Sequence, residues 1–212
     1  MGATSSLPRL YAIVDAEALS ARGVTLVDFA HELRAAGVEL VQYRDKVGSP
    51  QAVLRAASIL RETLSGTACR LIMNDRSDLA VLAGFDGVHV GQADLSPEDA
   101  QRVVGAGRIV GVSTHTGDQV QAANSTGADY IAIGPAFATG TKPDAEQVVG
   151  LEGIRRARTL TAKPLVAIGG ITRANARSVI DAGADSVAVI SALFAPNESV
   201  EQVARDFLRL LR

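Results

Sequence analysis

One four-residue pattern recurs along this chain and restricts its fold more than any other feature. Ala36-Gly37-Val38-Glu39, Ala83-Gly84-Phe85-Asp86, Thr126-Gly127-Ala128-Asp129 and Ala182-Gly183-Ala184-Asp185 each close an amphipathic helical stretch and open an apolar one. A glycine just past a helix end takes the left-handed cap conformation without a Cβ penalty. The chain then turns directly into a strand. The same helix-to-strand connection used four times predicts alternating βα units and a parallel sheet.

Eight strands are predicted: Leu10–Val14, Val38–Tyr43, Leu71–Asn74, Gly87–Val90, Ile109–Val112, Tyr130–Ile133, Leu165–Ile168 and Ser186–Ile190. Helical patterns separate nearly all of them. Ser96-Pro97-Glu98-Asp99 has the order of a helix start, with Ser as N-cap, Pro at the first position and an acid at the third. The stretch 76–83 has room for a short helix only. Eight βα units in 212 residues predict a single-domain (β/α)₈ TIM barrel. The rival, a doubly wound open sheet, carries a Gly-rich dinucleotide loop after its first strand, which Val14-Asp15-Ala16-Glu17 does not resemble. No Pro/Gly/Ser-rich linker divides the chain, so residues 1–212 are read as one domain with a flexible N-terminal tail over 1–7.

The charge balance of −2 supplies no basic surface for nucleic acid. No apolar run approaches the ~20 residues that cross a bilayer. Met1-Gly2-Ala3-Thr4-Ser5-Ser6 lacks the charged and apolar regions of a signal peptide. Gly2 and Ser6 fit a myristoylation pattern by chance, since no basic cluster follows to assist an anchor. The single cysteine, Cys69, allows no internal disulfide; it suits a reducing cytoplasm and reads as a buried structural thiol. A homo-oligomer is compatible with all of this.

Barrel chemistry gathers at the C-terminal ends of the strands. Strand 2 runs into Gln42-Tyr43-Arg44-Asp45-Lys46, where alternation puts Gln42, Arg44 and Lys46 on one side. Two cations and an amide at the end of a buried strand need a partner, and a diphosphate would serve. The bland reading is a solvated edge. Lysine is scarce, present only as Lys46, Lys142 and Lys163, so Lys46 and Lys142 read as point charges that arginine would not replace. Asn74-Asp75 ends strand 3 and Asp94 follows strand 4. Two neighbouring carboxylates without thiols or clustered histidines suit Mg²⁺ completed by substrate phosphate oxygens. Taken singly, Asp75 reads equally as a helix N-cap and Asp94 as a solvated loop acid.

Strand 5 ends in Ser113-Thr114-His115. Thr139-Gly140-Thr141-Lys142 follows strand 6, with hydroxyls and an ammonium that can wrap a phosphate. Gly169-Gly170 follows strand 7, and Ile190-Ser191-Ala192 closes strand 8, where barrels often hold phosphate on backbone N–H groups. These glycines equally suit tight turns. Of the histidines, His31 reads as surface, His89 as a hydrogen-bonded core residue, and His115 as near enough to the pocket to donate a hydrogen bond or move a proton. Asp15 and Asp45 stand where they could tune the cations or a substrate amine.

The ordered series Gln42-x-Arg44-x-Lys46, Asn74-Asp75, His89-Val90-Gly91-Gln92-x-Asp94, Gly111-Val112-Ser113-Thr114-His115, Thr139-x-Thr141-Lys142, Ile168-Gly169-Gly170-Ile171 and Ile190-Ser191 resembles the thiamine-phosphate synthase family along almost the whole chain. Tyr43 and Asp45 depart from the Leu and Glu that relatives often carry. The resemblance implies a barrel that joins hydroxymethylpyrimidine diphosphate to hydroxyethylthiazole phosphate. It implies that Gln42, Arg44, Lys46 and Asn74 hold the pyrimidine diphosphate and that Asp75 and Asp94 bind Mg²⁺. Ser113 and Lys142 would contact the reacting diphosphate, with Arg44, Ser113 and Lys142 the catalytic set. Thr139, Thr141, Gly170, Ile190 and Ser191 would cradle the thiazole phosphate. Three rivals remain: a related thiazole tautomerase working through His115, a non-catalytic barrel that binds a phosphorylated ligand, and an aldolase with a Schiff base on Lys142 or Lys163.

Overall fold

A computed structural model describes residues 7–140 and 147–212. Eight parallel strands close into a barrel in sequence order, with the last hydrogen-bonded to the first. They are β1 (Leu10–Asp15), β2 (Leu40–Arg44), β3 (Arg70–Asn74), β4 (Gly87–Val90), β5 (Ile109–Thr114), β6 (Tyr130–Ile133), β7 (Leu165–Ile168) and β8 (Ser186–Val189). The outer layer holds α1 (Ala16–Ser20), α2 (Leu26–Ala36), α3 (Pro50–Thr63), α4 (Ser77–Ala83), α5 (Pro97–Val104), α6 (Gly117–Asn124), α7 (Gly150–Leu160), α8 (Ala176–Asp181) and α9 (Val200–Leu210), with a 3₁₀ turn at Ser191–Leu193. The expected TIM barrel is the observed fold. α9 packs on α2 and closes the helical ring.

The recurring pattern explains how the helices hand over to the strands. After α2, α4 and α8 the glycines Gly37, Gly84 and Gly183 have φ of 77°, 64° and 110°. Val38, Phe85 and Ala184 then donate their N–H groups back to Leu33, Ala80 and Val179, the bond pattern of a Schellman cap. Gly127 departs from the expectation and is not left-handed. There α6 stops at Asn124, and Thr126 closes the turn with its own hydroxyl, donating to the Ala123 carbonyl and accepting from the Ala128 N–H.

The acid of the pattern has a second task. Asp86, Asp129 and Asp185 donate their backbone N–H to the carbonyls of Leu71, Val110 and Leu165. Their side chains accept the N–H of those same residues, each at 2.8 Å or less. Each aspartate thus grips the start of the preceding strand and sets the register of the pair. β2 begins at Leu40, later than the predicted Val38, because the Val38 N–H is still engaged in the turn, donating to the Leu33 carbonyl. β8 ends at Val189, since Ile190 opens the 3₁₀ turn.

Inside the barrel, Leu7, Tyr11, Ile13, Leu40, Ile72, Tyr130, Ala132, Val166 and Ala188 form one cluster. The outward-facing residues of the strands pack beneath the helices in a second cluster. Each large apolar side chain buried this way contributes about 1.5–3 kcal/mol. Leu7, placed in the tail by sequence, is 8% exposed and belongs to the inner cluster; residues 1–6 lie outside the described part.

Gly111 is a packing requirement. A Cβ there would lie 2.0 Å from the ring of Tyr130, on the neighbouring strand. Gly111→Ala is therefore expected to lower stability by about 1–3 kcal/mol through overpacking, measurable by urea denaturation against the parent chain. An unchanged midpoint would show that Tyr130 has room to yield.

Candidate active site

The alternation of β2 holds to its end. Gln42 and Arg44 pair in register with Ile13 and Asp15 of β1, and both line the same cavity at the C-terminal mouth. This cavity, about 120 Å³, also takes Lys46, Asn74, Asp75, Asp94, Tyr11, His89 and Ser113 in its wall. The cations and carboxylates that the sequence scattered over three loops therefore meet in one place.

Within the mouth the charges pair with one another. Arg44 is bound to Asp15, their side chains 13% and 5% exposed, whereas Lys46 and Asp75, also paired, are 47% and 17% exposed. The first pair is enclosed and fixed. The second is the more open to solvent. Asp15 also accepts the Ala18 N–H at 2.8 Å as the N-cap of α1, so it holds Arg44 from a rigid position. Among the described residues Asp45 forms no ion pair: its carboxylate accepts the Val47 and Gly48 N–H groups and shapes its own loop.

Asp75 is not the N-cap of α4, which starts from Arg76 without a side-chain cap. It adopts φ 60°, a left-handed conformation uncommon outside glycine, and its N–H donates to the His89 carbonyl at 2.7 Å. That bend aims the carboxylate at the mouth. Asp94 accepts the Gly91 N–H at 2.8 Å. Its carboxyl is pushed above the ordinary range, first by desolvation, and further by its hydrogen bond with Asp75 and that residue's charge; the Gly91 N–H and Lys46 oppose the rise. The two acids therefore face each other. Among the described residues no three His, Cys, Asp or Glu gather into a metal cage. Mg²⁺ is commonly held by one or two carboxylates together with substrate phosphate oxygens, and Asp75 and Asp94 offer such a pair.

A second cavity, about 410 Å³, adjoins the first. Thr139, Gly169, Gly170, Ile190 and Ser191 line it. Gly170 has φ 62°, and a Cβ there would meet the Ala138 carbonyl oxygen at 2.6 Å, so only glycine lets the strand 6 and strand 7 loops touch. Ser113, His115, Ile168 and Ile190 border both cavities. His115 is oriented by the Gly134 carbonyl, 2.8 Å from Nδ1. Thr141 and Lys142 lie outside the described residues. Lys163 is remote from the mouth; its ammonium donates to the Thr126 and Ala128 carbonyls near the strand starts.

Sequence reasoning missed Tyr11 and Tyr130 and read His89 as core alone. His89 is indeed buried and hydrogen-bonded through both ring nitrogens, and it also borders the smaller cavity. The available signal was polarity on inward strand positions. Cys69 is half-buried rather than buried, and desolvation, with the charge of Asp86 and Glu39, pushes its thiol up to about 12.

An eight-stranded parallel barrel with polar and charged groups gathered at the C-terminal mouth has the architecture of the TIM-barrel enzymes. Comparison with known proteins gives the particular family. Residues 10–193 match the family model described as thiamine monophosphate synthase. The chain is 54% identical to the thiamine-phosphate synthase of Koribacter versatilis, covering 100% of this chain and 99% of that one. It is 42% identical to that of Methanocella arvoryzae, covering 95% and 94%. The solved structure of thiamine phosphate pyrophosphorylase from Pyrococcus furiosus superposes with a TM-score of 0.85 at 31% identity, covering 96% of this chain and 95% of that one. The chain belongs to the thiamine monophosphate synthase family. Among the described residues no helix is long and apolar enough to cross a membrane.

Proposed function

We propose that this chain condenses 4-amino-2-methyl-5-hydroxymethylpyrimidine diphosphate with hydroxyethylthiazole phosphate, giving thiamine phosphate and diphosphate. The observation that carries the reading is the pair of adjoining cavities with Ser113 on their shared wall. One is lined by Arg44, Lys46 and two acids; the other is lined by hydroxyls and backbone-rich turns. Two phosphorylated substrates would thus meet at one point.

The reaction needs neither a side-chain nucleophile nor a strong base. The C–O bond to diphosphate breaks with its electron pair leaving on oxygen. The aminopyrimidine ring delocalises the cation left on the methylene carbon. The thiazole nitrogen then donates its lone pair to that carbon and forms the C–N bond. Gln42, Arg44, Lys46 and Asn74 would bind the diphosphate, and Thr139, Thr141, Gly170, Ile190 and Ser191 the thiazole phosphate. Asp75 and Asp94 would hold Mg²⁺, which when bound supplies positive charge to the diphosphate oxygens. A side-chain cation ~4 Å from a phosphate oxygen interacts by roughly 4 kcal/mol at an effective dielectric near 20, before desolvation. The fraction that grows in the transition state raises the rate, about tenfold for each 1.4 kcal/mol. We place the chain in the cytoplasm, in keeping with its lone, partly buried thiol.

The test is to mix both substrates with Mg²⁺ and follow diphosphate release. Release that requires the thiazole partner supports the reading. Turnover of the thiazole alone would mark a tautomerase, tight binding without release a binding protein, and borohydride trapping an aldolase. Lys142→Ala is expected to slow bond formation in a single turnover more than it weakens binding of either substrate; near-normal single-turnover rates would remove Lys142 from the chemistry.

A further inference from the structure

A row of buried hydrogen bonds crosses the barrel interior and ends at the candidate site. The Gln42 amide donates Nε2–H to the Tyr11 hydroxyl at 2.8 Å. The Tyr11 and Tyr130 hydroxyls lie 3.0 Å apart. Tyr130 Oη is 2.9 Å from His89 Nδ1, and His89 Nε2 is 2.8 Å from Ser113 Oγ. Five side chains from β2, β1, β6, β4 and β5 are thereby joined.

Such a chain can run in either direction, since either tyrosine can donate to the other and the His89 roles follow its tautomer. Gln42 biases the choice: with Tyr11 already accepting from its amide, the Tyr11 hydrogen turns to Tyr130. In that order Tyr130 donates to His89 Nδ1. Burial holds both phenols far above their ordinary range, so each keeps the hydrogen that this order requires. With Nδ1 accepting, the imidazole proton sits on Nε2 and is donated to Ser113 Oγ. The Ser113 oxygen is thus supplied with a hydrogen bond from behind, and its own O–H is left to donate forward into the cavity. Gly111 makes the row possible, because a Cβ there would occupy the space of the Tyr130 ring and hydroxyl.

We propose that Tyr11, Tyr130 and His89 are positioning residues that carry the hydrogen-bond polarity set at Gln42 across the barrel and fix Ser113 as a donor toward the departing diphosphate. The inference rests on the reading that Ser113 faces the diphosphate. A donor there stabilises charge growing on the leaving oxygen, whereas the reversed chain would present a serine lone pair to that charge and oppose it.

The test uses the full chain labelled with ¹⁵N-histidine. Long-range ¹H–¹⁵N correlation reads the tautomer of His89, with His31 and His115 assigned by substitution. The wild type is expected to show His89 as the neutral Nε2–H tautomer. Tyr130→Phe removes the donor to Nδ1 and is expected to give mixed tautomers. It should lower the single-turnover rate about tenfold, the size of one hydrogen bond, with little change in KM for either substrate. Tyr11→Phe, the milder change, should act in the same direction. In a Ser113→Ala background Tyr130→Phe should have no further effect on rate, since the row acts through the serine. An Nδ1–H tautomer or an imidazolium in the wild type overturns the inference, as does a Tyr130→Phe effect that simply adds to Ser113→Ala. If His89 is the Nε2–H tautomer but Ser113→Ala turns over at the wild-type rate, the placement of Ser113 at the diphosphate is wrong, and the positioning role falls with it.

Discussion

Arg44→Ala is expected to cut the single-turnover rate by about 10²–10³-fold, the range for one lost electrostatic contact to a developing anion. It should also destabilise the fold by roughly 3–5 kcal/mol. The two effects have separate causes. On the proposed function, the rate falls because a fixed guanidinium no longer faces the diphosphate. The fold weakens because Asp15, 5% exposed and paired with Arg44, becomes a buried charge without compensation. A second substitution separates them. Asp15→Asn removes that charge while its side-chain oxygen can still cap α1. The double variant Asp15→Asn/Arg44→Ala should therefore regain most of the stability and none of the rate. Urea denaturation and single-turnover kinetics on the same samples decide it. Arg44→Ala working within tenfold of wild type would remove Arg44 from the catalytic set.

Asp75→Asn should raise the Mg²⁺ concentration for half-maximal activity by at least about tenfold, equivalent to losing one charge-assisted contact of ~1.4 kcal/mol. Calorimetric titration of the free protein with Mn²⁺ should show the same weakening without any substrate. The substitution is clean because Asp75 sits at φ 60°, and asparagine tolerates that conformation as aspartate does. Asp75→Ala would lose the same charge and add roughly 1–2 kcal/mol of left-handed backbone strain. A drop in melting temperature confined to the alanine variant would separate geometry from charge. If Asp75→Asn left both titrations unchanged, Asp75 would not be a ligand, and its pairing with Lys46 would be its whole role.

The barrel was legible in the chain because its local signals are dense. Four of the eight repeats carry a glycine, a buried apolar residue and an acid in series, and strand alternation alone placed Gln42 and Arg44 on one face. Gly127 misled because a threonine side chain can close a turn that a left-handed glycine usually closes. The tail boundary misled at Leu7 because one leucine ahead of a strand has no periodicity to reveal its burial. At the site, residues at strand ends were readable and their partners were not. Nothing in Tyr11 or Tyr130 as letters shows that their hydroxyls meet across 119 positions. The pairing of Arg44 with Asp15 is equally a product of register between neighbouring strands, which sequence spacing does not encode.

The aspartates at the barrel's floor have a consequence for its roof. Asp129 bolts down Val110, and three residues further along the same strand stands Ser113. A slip of one position in that strand would turn the serine outward into the helical wall. The accuracy of the reacting surface is therefore inherited in part from anchorage at the far ends of β3, β5 and β7, which leaves the loops above free to vary without loosening what they surround.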